Sequence, residues 1–181
     1  MRVHNFDESL ASSHAAEVLP FWEECYRSAF GKYFAAMVSH RDDGEHQRAG
    51  IDRSVVLTNS KQILIDEKVR FEPWKDIALE YVSNDRTNTP GWVCKPLRAD
   101  YIAYAVAPLG ICYLLPVIQL PSAWDIHGDD WKGKAATRQQ GYKNVRAPNP
   151  SYFTLSVAVP VDVLFRAIGS GLRVRFTPFQ T

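Results

Sequence analysis

The sequence predicts one domain over residues 1–181, of α/β or α+β class. Three observations lead there. A helical apolar period fills the stretch up to residue 30, β-rich runs separated by turn residues follow, and strands and helices mix afterwards. A chain of 181 residues is long enough for one substantial core and short for two large domains. Residues 121–181 are expected to add a strand, a basic loop and a helix.

Each element has its local reason. In SHAAEVLPFWEECYRSAF, residues 13–30, Val18, Phe21/Trp22, Cys25/Tyr26 and Ala29 recur at three- and four-residue intervals, one face of a helix. Ser12 or Ser13 is the expected cap and Gly31 the stop, with Pro20 marking a kink or a later start. KYFAAMVSH reads as a further short helix or a continuation of the first, and HRDDGEHQRAG as a polar loop. IDRSVVL and KQILIDEKVRF, separated by TNS, read as an antiparallel hairpin. In its second strand Leu64, Asp66, Lys68 and Arg70 share one face and Ile63, Ile65, Glu67, Val69 and Phe71 the other. DIALEYVSN reads as a third strand, SNDRTNTPGW as a loop, and ADYIAYAVAP and ICYLLPV as a second hairpin turning at Leu109-Gly110. Within 120–144 a short helix and then a mobile basic loop are expected. SYFTLSVAVP reads as a last strand and VDVLFRAIG as a C-terminal helix.

Composition narrows the function classes. With 46% apolar and 23% charged residues the chain has the make-up of a globular protein. No apolar run approaches the roughly 20 residues of a membrane helix, and MRVHNFDESLASSH lacks a signal-peptide core. No membrane partner and a cytoplasmic location are therefore the expectations. The net charge of +1 means that any nucleic-acid surface must be local. Cys25, Cys94 and Cys112 have no paired spacing, and the five histidines show no HxH or HExxH pattern for zinc. There is no GxSxG elbow and no phosphate-binding glycine loop.

What remains is the charge inside the first hairpin. Charged side chains within strands cost burial energy unless something uses them. Hydrolysing a phosphodiester needs an activated water, a Lewis acid held by one or two carboxylates, and a cation to stabilise developing negative charge. Asp52, Asp66 and Lys68 are the right residue types, and Asp66 and Lys68, two apart on a strand, point the same way. Asp52 joins them only if the hairpin register has the right parity. An odd loop such as Asn59-Ser60-Lys61 would set Asp52 opposite Lys68, whereas an even loop would turn it toward Glu67 and Val69.

An acidic residue, a strand-to-strand turn, then acid-any-lysine after an apolar run resembles the signature of the PD-(D/E)xK, restriction-endonuclease-like nucleases. The matching residues are Gly50-Ile51-Asp52 and Ile63-Leu64-Ile65-Asp66-Glu67-Lys68. The resemblance covers about 15–120 and implies an α/β fold with a restriction-endonuclease-like core, a mixed central β-sheet flanked by helices. It also implies a Mg2+- or Mn2+-dependent endo- or exonuclease acting on DNA, with Asp52 and Asp66 as metal ligands and Lys68 assisting the water. Many such enzymes are homodimers, so a homodimer is implied too. The leading proline is absent, and Glu67 stands where the family usually has an apolar residue. Either Glu67 is a ligand in a shifted register or, the favoured reading, it pairs with a basic residue of a packing helix.

Glu80 is a further acid of the site if the third strand runs beside the second; otherwise it is a surface glutamate. By the resemblance Glu23 or Glu24 of the first helix points toward the metal, although both lie off its apolar face, and Gln47 and Arg48 contact substrate or line a loop. Arg70 is placed for a phosphate contact. In WKGKAATRQQGYKNVR the residues Lys132, Lys134, Arg138, Lys143 and Arg146 are interleaved with Trp131 and Tyr142, as on a backbone-tracking surface or a solvated loop. The alternative is a non-catalytic nucleic-acid- or protein-binding protein that keeps a nuclease-like fold, a reading that Glu67 encourages.

Overall fold

The computed structural model describes residues 21–40 and 42–179. In chain order the elements are α1 (Phe21–Phe30), β1 (Phe34–Ser39), α2 (Gly44–Arg48), β2 (Arg53–Leu57), β3 (Gln62–Arg70), β4 (Asp76–Asn84), β5 (Thr89–Pro90) and β6 (Tyr101–Val106). There follow β7 (Ile111–Pro116), α3 (Leu120–Ala136), β8 (Lys143–Pro148), β9 (Phe153–Pro160), α4 (Val161–Ile168) and β10 (Leu172–Arg175). The fold is mixed α/β, and the chain divides into two compact units. The stretch expected as one core, 15–120, is shared between them.

One unit contains residues 21–74, 97–117 and 171–179, with a six-stranded sheet in the order β1-β2-β3-β6-β7-β10. β3 lies antiparallel to β2 and parallel to β6, so the sheet is mixed. Against one face packs α1, whose Phe21, Trp22, Cys25 and Tyr26 are buried with Val55, Ile65, Ala103, Cys112 and Leu114. Burying each of the larger apolar side chains is worth about 1.5–3 kcal/mol. Gly31, at φ +53, ends the helix as its sequence suggests. The expected residues 13–20 of that helix lie outside the described residues.

KYFAAMVSH is not helical: after a short 3-10 turn at Gly31–Tyr33 it becomes the edge strand β1. Alanine and methionine favour a helix, but the open edge of β2 offers a ladder from Phe34↔Leu57 to Ser39↔Arg53, with one bulge between Phe34 and Ala36. The expected loop after it contains α2, because Asp43 Oδ1 accepts the N–H groups of Glu45 (2.9 Å) and His46 (3.2 Å). Arg98 N–H bonds the carbonyl of Ala49 at 3.1 Å, which fastens the end of this segment. In the β6–β7 turn, Gly110 adopts φ +59, and a Cβ there would stand 2.4 Å from the carbonyl oxygen of Phe176.

The other unit comprises Lys75–Pro96 and Ile118–Ser170 and holds a four-stranded sheet, β5-β4-β9-β8, with α3 and α4. The third strand therefore does not run beside the second. Both edges of β3 are taken by β2 and β6, and β4 pairs with β5 and β9. Residues 120–144 also differ from expectation. α3 runs to Ala136, Arg138 turns the chain at φ +56, and Lys143–Pro148 pairs with β9 as strand β8. The basic stretch is thus a helix end, a turn and an edge strand. β9 is not the last strand either, since β10 follows α4 and joins β7 in the six-stranded sheet.

Between α1 and the sheet lies a buried polar group. Arg53 Nε donates to Glu67 Oε1 at 2.6 Å, Arg53 Nη2 donates to Oε2 at 3.2 Å, and Tyr26 Oη donates to Oε1 at 2.6 Å. The Glu67 and Arg53 side chains are 0% and 7% exposed. Removing one member of such a pair strands the other charge in the core. Arg53→Met is expected to cost about 3–5 kcal/mol in urea denaturation, and Arg53→Met/Glu67→Leu is expected to recover much of that loss. Equal losses in the single and double variants would show that the pair is not what couples these residues.

Candidate active site

The hairpin loop decides where Asp52 goes. Leu57 N–H bonds the carbonyl of Lys61 at 2.8 Å across Thr58–Ser60, and Ser60 takes φ +64. The loop is odd, as the site requires, but begins one residue earlier than Asn59-Ser60-Lys61. The ladder consequently ends at Arg53↔Ile65, and Asp52 arrives beside Asp66 rather than opposite Lys68. Asp52 N–H bonds the carbonyl of Ile65 at 2.9 Å, and its Oδ2 accepts the N–H of Glu67 at 2.7 Å. The carboxylate thus takes the place of a strand carbonyl at the next rung. Gln47, from α2, donates to Asp52 Oδ1 at 3.4 Å.

Asp66 is buried, 4% exposed, and Lys68 Nζ lies 2.5 Å from its Oδ1. Burial is the largest influence on Asp66 and raises its pKa, Lys68 lowers it, and the Asp52 carboxylate raises it again; the result is about 6. The two aspartates are close enough to hydrogen-bond when one is protonated. Two neighbouring carboxylates offer the oxygen donors of a hard divalent cation, which takes one or two carboxylates and keeps several waters. The expected trio therefore meets on one side of the β2–β3 hairpin.

Glu67 points the other way. Burial pushes its carboxyl up, while Arg53 and then Tyr26 pull it back. Its main basic partner comes from the neighbouring strand rather than from the packing helix, which contributes the Tyr26 hydroxyl instead. Glu80 lies on β4, across from Ser156 of β9, in the four-stranded sheet. Glu23 is bonded to Arg27 at 2.8 Å, and Glu24 Oε2 accepts the N–H of Thr177 at 3.1 Å.

Arg70 shares the Asp66/Lys68 face but is 8% exposed. Its Nε lies 3.6 Å from Glu72 Oε2, its Nη1 donates to Tyr104 Oη at 3.5 Å, and its guanidinium covers the Trp74 ring at 4.5 Å. The basic stretch is largely matched within its own unit. Lys132 meets Asp129 and Lys134 meets Asp130, each at 2.6 Å, and Arg146 stacks on Phe153 at 3.5 Å. Arg138 and Lys143 are exposed on the turn and on β8.

One constellation escaped the sequence reading. His40, Asp43 and His46 bring their ligand atoms within 4.8 Å of one another. The two imidazoles stack at 4.0 Å with 6° between planes, His46 Nδ1 lies 2.7 Å from Asp43 Oδ2, and His40 Nε2 lies 2.7 Å from Ser54 Oγ. Burial and then His46 lower the pKa of His40 from its usual value. The H-x2-D-x2-H spacing was the available signal; it matches neither HxH nor HExxH, and only the start of α2 folds it together.

The Asp66 shift has a measurable consequence. The folded chain holds this proton more tightly than the unfolded chain, whose ordinary value is 3.8. Stability from protonated Asp66 is therefore complete below that value and is lost as pH rises through about 6. Between about pH 7 and pH 5 this group should add about 1 kcal/mol of stability. Asp66→Asn should remove that increment in urea melts at the two pH values, whereas an unchanged increment would place Asp66 outside the titrating group.

No family model matches the chain, and neither the curated proteins nor the solved structures contain a significant match to it.

Proposed function

We propose that the chain is a divalent-metal-dependent nuclease, with Asp52 and Asp66 holding Mg2+ or Mn2+ and Lys68 assisting the attacking water. The observation that carries this reading is the meeting of two carboxylates and one lysine on a single hairpin face, with Asp66 raised to about 6 by burial and by Asp52. Support for a restriction-endonuclease-like core comes from the acid-bearing hairpin, the helix α1 on the opposite face, and β6 lying parallel to β3. DNA is the substrate that the resemblance suggests, and a homodimer its suggested assembly.

The bound ion would supply Lewis acidity at the phosphoryl group and a more acidic water. The chain's own residues do the rest. Glu67 N–H and Gln47 hold the Asp52 carboxylate in place, so this ligand group is oriented before anything binds. Lys68, with its side chain 32% exposed, keeps its ammonium at the edge of the site, where it can orient water and offset negative charge developing on the phosphate. Arg70 would contact phosphate by exchanging Glu72 for it. The Glu67 side chain, the departure that encouraged a binding-only reading, is accounted for by Arg53 and Tyr26 and needs no role in the site.

The test is cleavage of plasmid, linear and single-stranded DNA with Mg2+, with Mn2+ and with chelator. Activity is expected only with metal, and Asp66→Asn or Lys68→Ala should reduce it by about 100- to 1,000-fold. DNA binding without metal-dependent cleavage would favour the non-catalytic alternative.

A further inference from the structure

We propose that His40, Asp43 and His46 bind a transition-metal ion of the zinc type, at a site chemically distinct from the Asp52/Asp66 pair and independent of the nuclease reading. Two imidazoles and one carboxylate form a nitrogen-rich donor set of borderline softness, suited to Zn2+ or Co2+ rather than to Mg2+. The three donor atoms already lie within 4.8 Å of one another. Around tetrahedral zinc, bonds of about 2.0–2.1 Å place neighbouring donors about 3.3 Å apart, and imidazole rotation spans the difference. The fourth position is left to water.

The surroundings are those of a supported site. Ser54, itself buried, engages His40 Nε2, which fixes that ring and leaves its other nitrogen for an ion. Asp43 is pinned through Oδ1 by the N–H groups of Glu45 and His46, while its Oδ2 faces His46 Nδ1 at 2.7 Å. Helix capping and one mutual hydrogen bond account for Asp43 and His46. They do not account for His40, held from β1's end flat against the His46 ring at 4.0 Å. An ion entering between Asp43 Oδ2 and His46 Nδ1 replaces their hydrogen bond, and the neutral His46 ring then carries its proton on Nε2.

This placement gives the site a consequence. α2 also carries Gln47, which reaches Asp52 Oδ1, and His40 N–H bonds the Asp52 carbonyl at 2.9 Å. An ion joining His40 to α2 would brace the segment that ends at Asp52.

The test is titration of the whole chain with CoCl2, read by the visible absorption of four-coordinate cobalt, followed by displacement with ZnCl2. One equivalent is expected to give the four-coordinate absorption, with the affinity of that absorbing site reduced at least tenfold in His40→Gln and in His46→Gln and unchanged in Asp66→Asn. Long-range 15N–1H spectra of the unaltered chain give a reading that does not depend on the variants folding. Zn2+ should shift two imidazoles that themselves contact each other through space. Absence of binding, or binding lost in Asp66→Asn but retained in both histidine variants, would overturn the proposal. So would a zinc response confined to histidines that do not contact each other.

Discussion

The buried Arg53–Glu67 ion pair, closed by the Tyr26 hydroxyl, is the constraint on which the hairpin and its site depend. A charge pair taken out of water is tolerated only at good geometry. Good geometry here requires Arg53 on β2, Glu67 on β3 and α1 to be in their present places together. The pair links two strands to the covering helix through side chains that cannot be satisfied in another register. A slip of one residue would turn Glu67 toward the other face and leave Arg53 unpaired in the core.

That constraint acts through the two-residue period of a strand. Glu67 faces the apolar layer under α1, so Asp66 and Lys68 on either side of it must face the other way. Adjacent acids therefore have opposite tasks. Glu67 is neutralised by Arg53 and serves the fold, whereas Asp66 sits between a lysine and a second carboxylate, both influencing whether it ionises. The backbone contributes as well, since the Glu67 N–H holds the Asp52 carboxylate beside Asp66. One residue thus serves the core with its side chain and the candidate site with its amide.

The segment between β1 and β2 concentrates the remaining polar chemistry. Its Asp43 cap turns a polar run into α2, and that single turn brings His46 onto His40 and Gln47 onto Asp52. A helix this short has little stability of its own. Its cap, the strand ends and the bond from Arg98 to Ala49 hold it.

The sequence by itself determined the β2–β3 hairpin, the facing of Asp66 with Lys68, the second hairpin turning at Gly110 and the apolar stripe of α1. Each of these follows from a local period or a turn residue acting over a few positions. Tertiary structure decided what depends on partners distant in the chain. KYFAAMVSH became a strand because β2 had an edge to fill, DIALEYVSN left β3 because β6 occupied its other side, and Glu67 found Arg53 fourteen positions away. The family resemblance carried Asp52 as far as the hairpin, but its position beside Asp66 depended on which three residues formed the loop. The His40–Asp43–His46 group was not legible for the same reason. Its spacing matches neither pattern sought, and only the capped turn of α2 brings those three side chains together.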